Sequence, residues 1–224
     1  MASWSSIEFT GHWRALHHSA RRFFAPALVS AHVPGDESPT IGNYRRTSVR
    51  EAHIYTVFDA PTPASGTLRW DLFHIDSRVL LSGWKRVALR YGESVNQKTV
   101  DLGRLMEKHG RDNVYMRIGL DIDGATVSED TVFLTPPRFI NLPKARTTTA
   151  VRKTGPRRFS IKFGTSDFQH RFCFGFGTPA FRSSDNSFDL YPDKPKEVEV
   201  EFDGAMTAER VRKLLRYHSL SDTY

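Results

Sequence analysis

Residues 114–134, VYMRIGLDIDGATVSEDTVFL, carry the reading that decides the fold class. Val114, Met116, Ile118, Leu120 and Ile122 alternate with Tyr115, Arg117, Gly119 and Asp121. A period of two sends successive side chains to opposite faces of a strand, so one face is apolar and the other polar. Asp123-Gly124 follows, a pair suited to the positive backbone angles of a tight hairpin turn. Residues 126–134 then return as the partner strand.

Outward from this hairpin the β signal persists. Residues 50–58, 67–75 and 79–89 are rich in β-formers, and Pro61 to Gly66 (PTPASG) is a turn region. A short helix is expected around residues 101–109, and a loop over residues 32–47, which hold Pro34, Gly35, Pro39 and Gly42. Pro136-Pro137 and Pro143 bracket a linker, the best domain boundary in the chain. Beyond it a second strand set begins near Thr147. Phe159, Ile161 and Phe163 alternate with Arg158, Ser160 and Lys162. Phe172, Phe174 and Phe176 alternate with Cys173, Gly175 and Gly177, and Val198, Val200 and Phe202 with Glu197, Glu199 and Glu201. A helix over residues 206–215 and a last strand over 216–220 complete the pattern. Many short strands at regular spacing predict two antiparallel sandwiches in tandem.

The N-terminal stretch differs. Residues 4–30 read WSSIEFTGHWRALHHSARRFFAPALVS. Helical spacing predicts one helix over residues 11–24, with Trp13, Leu16, Ala20 and Phe23 or Phe24 on one stripe and Arg14, His18, Arg21 and Arg22 around the rest. Pro26 ends it. So wide an apolar stripe needs a surface to lie on, and nothing upstream supplies one, so the segment reads as the close of something larger.

These residues also carry a resemblance. Ser3-Trp4-Ser5-Ser6-Ile7-Glu8, Gly11-His12-Trp13-Arg14-Ala15-Leu16-His17 and Ala20-Arg21-Arg22-Phe23-Phe24-Ala25-Pro26 are similar to the close of the catalytic barrel in β-mannosidases of glycoside hydrolase family 2. The similarity runs on through Val132-Phe133-Leu134-Thr135-Pro136-Pro137 and Ser184-Asp185-Asn186-Ser187-Phe188-Asp189-Leu190 to Ser219-Leu220-Ser221-Asp222-Thr223-Tyr224. It implies a mainly β chain: two tandem antiparallel immunoglobulin-like β-sandwiches preceded by one helix from the end of a (β/α)8 barrel. Residues 1–30 would be the barrel tail, 31–137 a mannosidase Ig/CBM-like sandwich and 138–224 a C-terminal Ig-like sandwich. Two positions depart from the family pattern. His18 replaces an aromatic after the Leu-His pair, and Ser187 stands where a second Phe is common.

The implied parent reaction is retaining release of terminal non-reducing β-D-mannose, without metal or organic cofactor. Such chemistry needs two carboxyl groups about 5 Å apart, a nucleophile and an acid/base. The family carries both on the barrel, upstream of residue 1, so no catalytic residue is assigned and the chain alone is expected to be inactive. Trp4 is the one carbohydrate-binding candidate, since the family places it at the barrel's active-site end. Glu8 falls at the mouth-to-helix transition, where it caps or braces the loop. The implied partners are β-mannoside oligosaccharides, through the parent enzyme, and the missing catalytic barrel as a packing surface. The competing class is a stand-alone β-sandwich that binds carbohydrate or another protein.

Other constellations are weaker. Glu197, Glu199 and Glu201 read as a solvated strand face. Asp121 and Asp123 lack the later ligands of a calcium loop and read as a turn. Glu8, His12, His17 and His18 do not have the paired i, i+4 histidines of a helical zinc site, so no metal is expected. Ser82-Gly83-Trp84-Lys85, Lys153-Thr154-Gly155 and Ser184-Asp185-Asn186 mimic the motifs of penicillin-binding serine enzymes, but in the wrong order and with Ser82 in a strand. Trp13 reads as helix packing, and Trp70 and Trp84 as core.

Composition bounds the rest. The 224 residues carry a net charge of +7. Between residues 138 and 171 nine Lys or Arg stand against one acid, Asp167. Their alternation with core aromatics favours a solvated sheet face over a nucleic-acid surface. No run reaches the roughly 20 apolar residues of a membrane span, and MASWSSIEFTGHW shows no export signal. Cys173 is alone, which leaves no internal disulfide.

Overall fold

The computed structural model describes residues 5–8, 11, 13–35 and 49–223. These residues divide into two compact units. No helix among them is long and apolar enough to cross a membrane.

The N-terminal helix is shorter than its periodicity predicts: α1 covers Ala15–Phe23. The chain before it turns back on itself instead. Gly11 adopts φ +84°, its N–H donates to the Glu8 carbonyl at 2.9 Å, and Ile7 and Trp13 form an isolated antiparallel bridge. Arg14 N–H closes the turn on the Ser6 carbonyl at 2.9 Å. A positive-φ glycine cannot continue a helix, so the apolar spacing of Trp13 belongs to a turn that precedes it.

Residues 22–141 form the first unit. Its strands are β1 (Ala27–His32), β2 (Glu51–Phe58), β3 (Ala64–His74), β4 (Val79–Leu89), β5 (Glu93–Asp101), β6 (Val114–Ile122) and β7 (Ala125–Phe133), with helix α2 at Gly103–His109. One sheet has the order β1-β2-β5 and the other β4-β3-β6-β7. Every pairing is antiparallel. The two inner faces share one core that includes Val29, Ile54, Leu68, Leu72, Val100, Met116, Ile118 and Leu120. Asp123 and Gly124 both have positive φ, 52° and 78°, which matches the right-handed twist of β6 and β7 at their hairpin.

Two strands of this unit escape the alternation rule. β1 directly follows Pro26 and pairs in unbroken register with β2, from Ala27 opposite Phe58 to His32 opposite His53. β5 is mostly polar, and its pairing with β2 shifts register between Ile54 and Tyr55, where Gln97 is the extra residue. The Gln97 side chain donates to Thr56 Oγ1 at 3.0 Å, and the Gln97 backbone carbonyl accepts from Lys85 Nζ at 2.9 Å. A bulge of this kind breaks the period of two and hides the strand from pattern reading.

Face assignments also shift. Tyr115 lies on the strand side expected to meet solvent, yet it is 1% exposed and stacks on Phe73 at 5.2 Å. Trp70 is buried as expected, and Gly83 makes room for it: a Cβ there would sit 2.4 Å from the indole ring. Trp84 corrects the core expectation, because it points outward and is 68% exposed. The linker remains attached to this unit through Asn141, whose N–H donates to the Asp112 carbonyl and whose side chain donates to Asn113 Oδ1.

The second unit joins the described residues up to Arg21 with those from Leu142 onward. Its strands are β8 (Thr147–Lys153), β9 (Arg158–Thr165), β10 (Gln169–Gly175), β11 (Phe181–Ser183), β12 (Phe188–Leu190), β13 (Lys196–Phe202) and β14 (Arg216–His218), with helix α3 at Ala208–Leu214. They form sheets of order β11-β13-β9-β8 and β12-β10-β14. Thr207 caps α3, its hydroxyl accepting from Arg210 N–H at 3.2 Å. Phenylalanine dominates the core: Phe163 lies 5.0 Å from Phe172 and 5.1 Å from Phe174, and Phe176 lies 4.9 Å from Phe202, ring to ring. Ser160, expected on the solvent face, is buried because it donates to Glu197 on the neighbouring strand. Ser187, the other departure from the family pattern, is buried with φ 56° and donates its N–H to Asn186 Oδ1.

Candidate functional site

The N-terminal helix is two-sided in an unexpected way. His18 is its buried residue, while Leu16 is 52% and Phe24, just past its end, 80% exposed. Trp13 and Phe23 are also exposed. The polar side of α1 makes the attachments within its unit. Arg21 Nη1 donates to the Ser184 carbonyl at 2.8 Å, and Arg171 Nη1 donates to Ser19 Oγ at 3.4 Å. Glu8 reaches Arg14 across the preceding turn at 3.4 Å, and Ser6 Oγ meets His17 Nδ1 at 3.3 Å. Trp13 rests on the His17 ring with centroids 4.4 Å apart. Trp4, the carbohydrate candidate, and His12 lie outside the described residues. His17 and His18 lie side by side on α1, and among the described residues no three His, Cys, Asp or Glu side chains converge as a metal site.

Two of the three glutamates of β13 stand opposite basic residues of β9. The register sets Glu197 opposite Lys162, Glu199 opposite Ser160 and Glu201 opposite Arg158. Arg152 approaches Glu197 at 3.7 Å, and Arg157 and Arg158 approach Glu201 at 3.6 and 3.3 Å. The Ser160 hydrogen bond, followed by the charges of Arg152 and Lys162, outweighs desolvation and holds the Glu197 carboxyl below its ordinary range. A carboxyl kept ionised in this way is the opposite of a general acid, which needs a raised value. Part of the positive charge between residues 138 and 171 is thus matched within its own sheet.

The serine-enzyme mimicry dissolves in three dimensions. Ser82 is mid-strand and donates to Asp71 Oδ1 at 2.7 Å. Asn186 is a backbone clamp: its Oδ1 accepts from Phe174 N–H at 3.1 Å and its Nδ2 donates to the Phe174 carbonyl at 3.0 Å. Asp185 pairs with Lys196 Nζ at 2.7 Å.

The solvent face of the β4-β3-β6-β7 sheet holds a group that strand patterning does not reveal. Trp84 stands directly opposite Arg69. Arg69 grips Asp121 through Nε at 2.6 Å and Nη2 at 2.9 Å, and Thr126 Oγ1 donates to the same carboxylate at 2.8 Å. The guanidinium's own hydrogen bond to Asp121 outweighs partial burial and raises the pKa of Arg69. The residues are far apart in sequence and become neighbours only through register, so no local signal announces them.

The architecture is that of two immunoglobulin-like β-sandwich modules, with a helix attached to the second. Comparison with known families gives the same class in more detail. Residues 50–138 match the family model of the Mannosidase Ig/CBM-like domain and residues 176–223 that of an Ig-fold domain. The comparison with curated proteins finds no match. Among solved structures, the β-D-mannosidase of Dictyoglomus thermophilum superposes with a TM-score of 0.74 over 97% of this chain and 24% of its own, at 14% identity. The exo-chitosanase CsxA of Amycolatopsis orientalis gives 0.61 over 96% of this chain and 28% of its own, at 11% identity. The chain therefore spans about a quarter of the length of these enzymes, and likeness at such identity is a likeness of fold.

Proposed function

We propose that the chain serves as the C-terminal accessory portion of a β-mannosidase-like glycoside hydrolase of family 2. Its domains would be a barrel tail that ends with α1, an Ig/CBM-like sandwich that takes in β1 and runs to Asn141, and an Ig-like sandwich from Leu142 onward. The observation that carries the reading is the orientation of α1. Its polar side is attached to the second sandwich through Ser19 and Arg21, and Trp13, Leu16, Phe23 and Phe24 are exposed. A helix at a sandwich surface ordinarily buries its apolar side. Presenting that side outward fits a helix whose second partner is a catalytic barrel. The fold likeness to the D. thermophilum β-mannosidase covers 97% of this chain, which supports the same assignment.

In this reading the chain supplies packing and positioning, and the barrel supplies the nucleophile, the acid/base and most of the sugar pocket. The glutamates of β13 do not replace them, because Glu197 and Glu201 are paired with arginines and Glu197 is held ionised. The chain alone is expected to release no 4-nitrophenol from 4-nitrophenyl β-D-mannoside. Turnover that disappears in Glu197→Gln, Glu199→Gln or Glu201→Gln would overturn the assignment.

A further inference from the structure

We propose that the solvent face of the first sandwich around Trp84 is a binding surface for a neutral β-linked hexopyranose chain. Strand register lays three rows of side chains on this face. They run Ser82–Asp71–Arg117, Trp84–Arg69–Gly119 and Arg86–Thr67–Asp121 across β4, β3 and β6. The indole is 68% exposed at one side of the middle row. Next to it, polar groups are already fixed: Arg69 on Asp121 at 2.6 and 2.9 Å, and Ser82 on Asp71 at 2.7 Å. Gly119 keeps the floor low, since a Cβ there would approach Arg69 Nη2 to 3.4 Å.

A pyranose ring has one apolar C–H face and a girdle of hydroxyls that both donate and accept. The apolar face matches the exposed indole, which offers a large rigid surface at little entropic cost. The girdle matches an array in which Arg69 supplies donors, Asp71 supplies acceptors and Ser82, its proton committed to Asp71, supplies a further acceptor. Groups already held in place lose little freedom when a ligand arrives. Charge selects among ligands. Arg69 and Arg117 are matched by Asp121 and Asp71, and Glu129, opposite Gly119 on β7 and near Arg69, offsets Arg86, so the face carries no net charge. A face without net charge offers no counter-charge to a cationic amino sugar or to a polyanion, which needs several phosphate contacts. A neutral hexose is the occupant that remains.

The site lies on the sandwich of residues 22–141 and does not depend on the docking of α1, so its failure would leave the accessory reading intact. The test is a titration of the whole chain with β-1,4-mannohexaose, followed by calorimetry and by the indole N–H resonance of Trp84. Saturable binding is expected, weakened at least about tenfold in Trp84→Ala with the melting temperature unchanged. Trp84→Phe, which keeps an aromatic face, is expected to stay within about threefold of the original affinity. The proposal is overturned by an absence of saturable binding up to about 10 mM, or by equal affinity in Trp84→Ala. Tighter binding of a glucosamine hexamer or of an oligothymidylate would overturn the choice of a neutral sugar.

Discussion

Arg21 and Ser184 lie 163 residues apart in sequence, yet the Arg21 guanidinium donates to the Ser184 carbonyl at 2.8 Å. With the Arg171 contact to Ser19, this bond holds α1 on the second sandwich by its polar side. A charge-assisted bond near the surface is worth about 1 kcal/mol. Arg21→Ala is therefore expected to raise amide exchange in residues 17–22 roughly fivefold, while the sandwich core exchanges as before. Unchanged exchange in α1 would mean that the helix is held by other contacts.

Removing the apolar helix without touching the first sandwich requires a cut before β1. A form beginning at Ala25 loses Trp13, Leu16, Phe23 and Phe24 but keeps Ala27–His32. It is expected to scatter less light at equal concentration and to melt at the original temperature. A form beginning at Ala31 also loses Val29, a core residue, and strips Tyr55 to Phe58 of their partner strand. Burying a valine contributes about 1.5–3 kcal/mol, so this form should melt at least about 5 °C lower. Equal melting of the two forms would contradict the place of β1 in the core.

The second sandwich has its own core, drawn entirely from residues 151–215 with a few half-buried neighbours. Residues 142–224 alone should unfold in one cooperative transition. Phe163→Ala in that fragment is expected to cost about 3–5 kcal/mol, because the ring is fully buried among Phe172, Phe174 and Phe188. A broad, non-cooperative melt of the unsubstituted fragment would place part of its core elsewhere.

Gly83 and Trp70 occupy opposed positions on β4 and β3. An alanine at 83 would place Cβ 2.4 Å from the indole, and the buried ring has nowhere to retreat. Gly83→Ala should destabilise the first sandwich by about 1–3 kcal/mol, as overpacking does. In Gly83→Ala with Trp70→Phe much of that loss should return. Chemical denaturation of the three variants measures both effects.

The Glu197 carboxyl titrates below the ordinary glutamate range because Ser160 donates to it. A depressed folded-state value means that this bond stabilises the fold above the unfolded-state value. The contribution is lost as pH falls through the folded one. Ser160→Ala should move the Glu197 side-chain carbon titration upward by NMR and shift the onset of acid unfolding to higher pH. An unmoved titration would mean that the charges of Arg152 and Lys162 carry the effect alone.

The β-formers of residues 50–58, the period of two along residues 114–122, 158–163, 172–177 and 197–202, the Asp123-Gly124 turn and the linker prolines were enough to define two antiparallel sandwiches. These features are local: a strand with one covered face must alternate, and a tight hairpin must take residues that tolerate positive φ. What alternation cannot say is which face another element covers. Tyr115 and Trp84 both sit on the polar side of their strands, and only packing decided that Phe73 buries the first while the second meets solvent. β1 and β5 are strands because β2 pairs with both, a condition set by residues distant in sequence. The helix spacing at Trp13 was a coincidence of a turn closed by Gly11. The direction in which α1 presents its apolar side, and the grouping of Trp84 with Arg69 and Asp121, arise from register and docking, which sequence periodicity does not encode.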